Sequence, residues 1–187
     1  MKIINNIIIL LAWLINIISL VLKITTEYEV NILVCIALSI IVILPKFLRK
    51  WVRISDLLEF ILLIFIFFAG EIGSVLKVYG IIYWYDSFTH FISGILTAFL
   101  GLVILNRFKK YDDKELWNVF FIIIFTLSIA ATWEIFEFTS DNLLGGDAQR
   151  VIETGVADTM KDIICALIGS ILFSVGYLFK RPKIDNL

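Results

Sequence analysis

The sequence predicts an all-α, polytopic integral membrane protein, a helical bundle of six transmembrane helices with the N- and C-termini in the cytoplasm. Three observations support this fold class: 60% of the 187 residues are hydrophobic, only 18% are charged, and the mean hydropathy is +0.98. Soluble globular chains are about 45–50% apolar and about 25% charged. Here the apolar excess lies in long continuous runs, so the solvent for this surface is lipid.

Six apolar runs are long enough to cross a bilayer as helices. A helix needs about 20 residues to cross about 30 Å of hydrocarbon, because each residue advances about 1.5 Å. The runs lack the in-out alternation over about ten residues that a membrane β-barrel requires. We expect a single membrane domain over residues 1–187, with helices near residues 3–22, 30–48, 57–76, 86–105, 116–138 and 158–179.

The placement of cations predicts the orientation of these helices. Short cytoplasmic loops collect Lys and Arg, whereas exported loops do not. The segments that follow helices 2, 4 and 6 are rich in cations: Lys46, Arg49, Lys50 and Arg53; Arg107, Lys109, Lys110 and Lys114; Lys180, Arg181 and Lys183. These segments are expected in the cytoplasm, and the longest outward connection is the loop 139–157, which contains Gly145-Gly146.

Six carboxylates and the single histidine of the sequence lie in the outer halves of the predicted helices. A charged side chain at the bilayer centre costs about 2.5–3.5 kcal/mol on insertion scales, so it normally faces a cavity or a partner. Residues three or four apart share a helix face. The seven residues are Glu71 on helix 3, the pair Asp86/His90 on helix 4, the pair Glu134/Glu137 on helix 5, and the pair Asp158/Asp162 on helix 6.

These residues together predict a divalent-metal site. Any one of them alone is equally consistent with an interface-level charge that pairs with Lys77, Arg150 or Lys161. Six carboxylates with one histidine repel one another in a low dielectric, so they need protons or a bound cation. Histidine with carboxylates suits Zn²⁺, Mn²⁺ or Fe²⁺, whereas carboxylates alone suit Mg²⁺ or Ca²⁺, and the identity of the ion stays open. The predicted metal ligands are Glu71, Asp86, His90, Asp158 and Asp162.

Glu134, Glu137 and Arg150 are the candidate catalytic residues. Either glutamate is placed to act as a base toward a water that the metal activates. The guanidinium of Arg150 beside an acidic cavity is suited to clamp a phosphate with two hydrogen bonds. The alternative for Arg150 is an ordinary solvated turn, because loops are usually polar for solvation alone.

At these residues the chain resembles the YjdF-type family of bacterial inner-membrane proteins and, more distantly, the VanZ-like proteins linked to glycopeptide-antibiotic resistance. VanZ-like chains tend to have Gln where Glu137 stands and Asn where Ala166 stands. The resemblance implies a multi-pass protein of the bacterial cytoplasmic membrane, but no particular reaction. The matching pieces are Asp86, His90, Phe91 and Gly94 in YDSFTHFISG; Glu134 and Glu137 in WEIFEF; and Asp158, Thr159, Asp162 and Gly169 in ADTMKDIICALIG.

Three classes of function fit these features. The first is an intramembrane, metal-dependent hydrolase or transferase that acts on a lipid-linked phosphate in the outer leaflet. The second is a cation- or proton-coupled transporter of small molecules, although transport sites usually lie near the midplane. The third is a non-catalytic membrane scaffold. The net charge of −1 argues against nucleic acid as a partner. We expect the lipid bilayer to surround the protein, and the oligomeric state stays open.

The predicted orientation can be tested with single cysteines at Ser140, in the outward loop, and at Ser55, beside a cytoplasmic cation cluster. We expect a membrane-impermeant thiol reagent to label only the cysteine at position 140 in intact cells, because cation-rich loops stay inside. Labelling of both cysteines after the cells are opened is the control. Labelling of position 55 alone in intact cells would invert the topology.

Overall fold

The computed structural model describes residues 1–52, 54–108 and 115–180, and every regular element in these ranges is a helix. Six of the described helices are long and apolar enough to cross a membrane: Lys2–Thr25, Ile32–Arg49, Asp56–Val75, Tyr85–Arg107, Glu115–Leu143 and Ala157–Phe179. The all-α fold class and the six spans are thereby confirmed, and the orientation of the termini stays a prediction. Six of the cations used for the orientation lie outside the described residues: Arg53, Lys109, Lys110, Lys114, Arg181 and Lys183.

The chain packs into two compact units, the first covering Met1–Tyr85 and the second Asp86–Leu187. The expectation of a single membrane domain over residues 1–187 stays a prediction. The first unit contains α1 (Lys2–Thr25), α2 (Ile32–Ile41), α3 (Leu44–Val52), α4 (Asp56–Ile66) and α5 (Val78–Ile81). The second unit contains α6, which spans Tyr85–Arg107 and so starts one residue before the boundary, α7 (Glu115–Leu144), α8 (Val151–Thr154) and α9 (Ala157–Lys180).

Three helices differ from the simple apolar runs that the sequence predicts. The second run is interrupted between α2 and α3, just before Pro45, which has no N–H for the preceding turn. From Phe67 to Val75 the third run is a π-helix. α7 continues to Leu144, beyond the predicted end at residue 138, so the connection to α9 is shorter than expected.

Each unit has its own apolar core. In the first unit, buried side chains of α1, α4 and the α2–α3 break pack together: Ile8, Ile9, Ala12, Val42 and Leu63. In the second unit the core joins α6, α7 and α9: Ala98, Leu102, Ile122 and Tyr177. His90 precedes Ala98 by eight residues, or about 12 Å of helix. The end of the second unit that contains His90 therefore lies away from this apolar core and is available for polar residues.

Glycines let the backbones of α6 and α9 touch. A Cβ atom on Gly94 would lie 2.1 Å from the carbonyl oxygen of Ala166, and one on Gly169 would lie 2.2 Å from the carbonyl oxygen of Phe91. Small residues permit this close approach of helices in membranes. Phe91 adjoins His90, so the contact fixes the start of α6 against α9.

We expect Gly94→Ala to destabilise the protein by about 1–3 kcal/mol, because the added methyl group overlaps the backbone of α9 and must push the helices apart. Gly176→Ala is the matched control, since a Cβ atom there meets nothing within 4 Å. Thermal unfolding in detergent should show a lower Tm for Gly94→Ala only. Equal Tm values for the two variants would contradict the backbone contact.

Candidate functional site

The ionisable residues of the second unit meet at one end of its helices. Asp86 lies in the first turn of α6, Glu134 lies in the last three turns of α7, and Asp158 and Asp162 lie in the first two turns of α9. The Glu134 carboxylate interacts electrostatically with those of Asp86 and Asp158, and Asp162 interacts with all three. The structure thus brings together predicted site residues from three separate helices.

Asp86, His90 and Asp162 form the tightest group within this end. The His90 Nε2 atom lies 3.6 Å from Asp86 Oδ1 and 3.9 Å from Asp162 Oδ2. One potential ligand atom from each residue lies within 4.8 Å of the other two. Asp86 and His90 share a face of α6 because they are four residues apart. Asp162 comes from α9, which the glycine contacts hold close to α6.

This donor set fits a divalent metal ion. Ligand atoms about 2.0–2.2 Å from a tetrahedral ion stand about 3.3–3.6 Å apart, close to the two distances from His90. The second Asp162 oxygen, Oδ1, is buried and has no hydrogen-bond partner among the residues that the structure describes. A buried acceptor without a donor is costly unless a cation or proton meets it.

Asp158 lies beside this group, and cations occupy its carboxylate. Lys161 Nζ donates a hydrogen bond to Asp158 Oδ1, and Arg150 Nε lies 4.0 Å from Asp158 Oδ2. The Asp158 side chain is only 4% exposed, whereas those of Arg150 and Lys161 are 24% and 37% exposed. Asp158 therefore anchors two cations at the rim of the cluster, and its predicted role as a metal ligand stays a prediction.

Glu134 is buried and held by a side chain from the loop after α7. Gln149 Nε2 donates to the backbone carbonyl of Glu134 at 3.2 Å, to Glu134 Oε2 at 3.4 Å and to Thr159 Oγ1 at 3.2 Å. The other carboxylate oxygen, Glu134 Oε1, has no hydrogen-bond partner in the described part of the chain. One oxygen of Glu134 is thus positioned, and the other is available to accept a proton.

Glu137 occupies a more open position on α7. Its Oε1 atom accepts a hydrogen bond of 2.8 Å from the indole Nε1 of Trp133, one turn earlier. Its carboxylate interacts electrostatically with those of Glu134 and Asp86. Glu137 therefore adds negative charge to the cluster from its half-exposed side.

Two aspartates accept backbone hydrogen bonds around Gln149, Asp141 near the end of α7 and Asp147 in the loop. Asp141 accepts backbone hydrogen bonds from Ala148 at 2.9 Å and from Gln149 at 3.1 Å. Asp147 Oδ1 accepts one from the N–H of Ile152 at 3.3 Å. Arg150 has a left-handed backbone, with φ 52° and ψ 31°, at the point where the chain turns toward Asp158.

Glu71 belongs to the first unit, where it is fully buried on the π-helix. Its membership in the predicted metal site stays a prediction.

Sequence reasoning missed the contribution of Gln149, and it treated Lys161 only as a possible charge partner. Gln149 follows a glycine pair in a polar loop, which is typical of a solvated turn. Thr159 was visible as part of the D-T-x-x-D segment, but nothing in that segment indicates that its hydroxyl meets a glutamine from the preceding loop. The spacing of Asp158 and Lys161, three residues apart on one helix face, was the available signal for the rim.

Comparison with known proteins agrees with a membrane protein and adds no reaction. A family model described as "predicted membrane protein (DUF2238)" matches residues 4–182. An uncharacterised protein of Thermotoga maritima is 26% identical over 125 residues, an alignment that covers 63% of this chain and 64% of the relative. No solved structure matches the chain. The YjdF-type resemblance is consistent with this family, and the resemblance to VanZ-like proteins stays a prediction.

Proposed function

For this chain, which belongs to the DUF2238 family of predicted membrane proteins, we propose an intramembrane, metal-dependent hydrolase or transferase that acts on a lipid-linked phosphate. The observation that carries the proposal is the grouping of Asp86, His90 and Asp162 within 4.8 Å of one another. The predicted orientation places this site at the outer face of a bacterial cytoplasmic membrane.

The charge balance of the site supports a divalent ion. Five carboxylates of the second unit interact there, and two cations, Arg150 and Lys161, face them. With a neutral histidine and all five carboxylates ionised, the negative charges would exceed the positive ones by three, so the cluster needs protons or a bound cation. A divalent ion held by Asp86, His90 and Asp162 would offset two of these charges. The donor set of one imidazole and two carboxylates favours Zn²⁺, Mn²⁺ or Fe²⁺ over Mg²⁺.

The residues around this group supply the remaining chemistry of a hydrolase. A bound divalent ion would act as a Lewis acid toward a phosphate oxygen and would acidify a water. Glu134 is the preferred base, because Gln149 holds its Oε2 atom while Oε1 has no hydrogen-bond partner among the described residues. Glu137 is the second candidate for this role, but its Oε1 atom already accepts from Trp133.

The rim cations are suited to bind the phosphate of a substrate. Arg150 and Lys161 keep part of their surface exposed while Asp158 fixes their heads. A guanidinium and an ammonium held by the same carboxylate could stabilise charge on phosphate oxygens without having to be reorganised during the reaction.

The surroundings of the two glutamates favour a lipid as the rest of the substrate. Large apolar side chains of α7 next to Glu134 and Glu137 are exposed, among them Trp133, Ile135 and Phe136. In a membrane this surface faces acyl chains or an isoprenoid chain. A substrate with its tail there would bring its phosphate to the acidic end of the unit.

A carrier of small molecules is the second candidate. The observation that favours it is Glu71, a fully buried carboxylate of the first unit, since intramembrane carboxylates also mark ion pathways. If the purified protein holds no tightly bound metal, the result favours the carrier over the enzyme.

We expect His90→Ala and Asp162→Asn each to abolish the rise in Tm that a divalent ion gives to the wild type, because three ligands serve one ion. A ligand at about 100 times its Kd stabilises the folded state by about 2.7 kcal/mol. The double variant should resemble either single variant, since residues that act as one unit are not additive. The measurement is thermal unfolding of purified protein with and without added Zn²⁺ or Mn²⁺, together with elemental analysis of the metal content.

Glu153→Gln is the control for this experiment, because Glu153 is an exposed carboxylate of α8. It should keep both the metal and the shift. Single variants that keep the metal-induced shift, or losses that simply sum, would show that the three residues do not share an ion.

The reaction itself is tested by measuring the consumption of two lipid phosphates, dioleoyl phosphatidic acid and farnesyl diphosphate. Each is assayed with water alone, which reports hydrolysis, and with an added alcohol acceptor, which reports transfer. We expect turnover by the metal-loaded wild type and a loss of about 10²–10⁴-fold in kcat for Glu134→Gln, because a general base contributes that much. Arg150→Gln should mainly raise KM, and Glu137→Gln should have the smaller effect on kcat. Metal-loaded protein that consumes neither probe would contradict the enzymatic proposal and favour the carrier.

A further inference from the structure

A second polar cluster lies entirely within the first unit, around Glu71. Both of its carboxylate oxygens are buried and lack a hydrogen-bond partner among the residues described. The Asn16 side chain interacts with this carboxylate, although it lies beyond ordinary hydrogen-bond geometry for either oxygen. The two residues are 0% and 2% exposed.

The hydrogen bond that the Asn16 amide makes within ordinary distance goes to Ser39. Asn16 Nδ2 donates to Ser39 Oγ at 3.1 Å, and the Ser39 hydroxyl donates in turn to the carbonyl oxygen of Cys35 at 2.8 Å. The Asn16 Oδ1 atom is left buried without a partner in the described residues. Three acceptor oxygens, two from Glu71 and one from Asn16, therefore remain without a donor.

Among the described residues of the first unit, the structure records no ion pair between the Glu71 carboxylate and a cation. Lys23 Nζ donates instead to the carbonyl oxygen of Val30 at 2.8 Å, and Arg49 pairs with Asp56 and Glu59. A buried carboxylate without a counter-charge is strongly unfavourable in hydrocarbon.

The backbone at Glu71 has an unusual form that suits a binding site. Residues 67–75 form a π-helix, in which the N–H of Leu76 donates to the carbonyl oxygen of Glu71 at 2.9 Å. The π-helix is fixed at both ends by tyrosine hydroxyls, since Tyr28 donates to Val75 O at 2.6 Å and Tyr85 donates to Phe68 O at 2.9 Å. Short π-helical segments occur frequently at functional sites.

We propose that Glu71 and Asn16 form a monovalent-cation site of the Na⁺ class inside the first unit. All three orphaned ligand atoms are oxygens, which hard cations prefer. One carboxylate balances one positive charge, whereas a divalent ion would leave an uncompensated charge in a low dielectric. Ser19, buried and three residues after Asn16, shares its helix face and offers a further oxygen. The proposal does not depend on the function of the second unit.

The test replaces choline chloride stepwise by NaCl at constant ionic strength and pH, with the full chain purified in detergent. The Tm of the wild type should rise by about 5 °C when Na⁺ reaches about 100 times its Kd. Binding of ²²Na⁺ should approach about one ion per chain, since the site holds one carboxylate. Glu71→Gln and Asn16→Ala should lose both signals, because each removes a ligand oxygen or its charge.

Glu59→Gln is the matched control, because Glu59 is also a buried carboxylate of the first unit but is paired with Arg49. Its Tm should fall while the Na⁺-dependent rise persists. His90→Ala should also keep the Na⁺ response, so that failure of the metal site and failure of this site are distinguishable. A wild type whose Tm and ²²Na⁺ binding do not respond to Na⁺ overturns the proposal and indicates that Glu71 carries a proton instead.

Discussion

The cost of a carboxylate inside a membrane is the constraint on which both units depend. In a medium of low dielectric each such group needs a counter-charge, a proton or an ion. The structure meets this need in two different ways. Glu59 is buried but paired with Arg49, which makes it a structural ion pair. Glu71, Glu134 and Asp162 are buried, and each has at least one oxygen without a hydrogen-bond partner in the described chain. Such an oxygen needs a proton or a bound cation.

Close packing of backbones brings acidic residues of the second unit together from separate helices. Asp86 and His90 would share a face of any helix, but Asp162 is separated from them by more than seventy residues of sequence. The contacts at Gly94 and Gly169 remove the space that side chains normally keep between helices. Because the two helices meet backbone to backbone, a carboxylate on α9 comes within 3.9 Å of an imidazole on α6. The glycines therefore matter to the chemistry although they carry no functional group.

The sequence predicted the all-α fold and the six spans well, because apolar runs of this length are stably accommodated only in the lipid of a membrane. It also predicted that Asp86, His90 and Asp162 belong to one cluster, since ionisable residues in such runs are rare and their spacing of four is visible, and the structure places these three side chains within 4.8 Å of one another. It could not predict the partners of each charge. Asp158 resembles Asp162 in sequence, yet Lys161 and Arg150 occupy its carboxylate. The π-helix at Glu71 and the burial of Gln149 depend on packing between helices and on a folded loop, neither of which leaves a periodic pattern.

The loop between α7 and α9 shows how polar residues that look merely solvated can position a site. Asp141 and Asp147 satisfy backbone N–H groups of the residues on either side of Arg150, and Arg150 itself has a left-handed conformation. That conformation costs a non-glycine residue about 1 kcal/mol or more, which a glycine would avoid. At this position the guanidinium lies 4.0 Å from Asp158 Oδ2, and the Asp158 side chain is only 4% exposed. A buried carboxylate needs a counter-charge, so the ion pair with Asp158 offsets the cost of the strained backbone, while the partly exposed guanidinium stays at the rim of the acidic cluster.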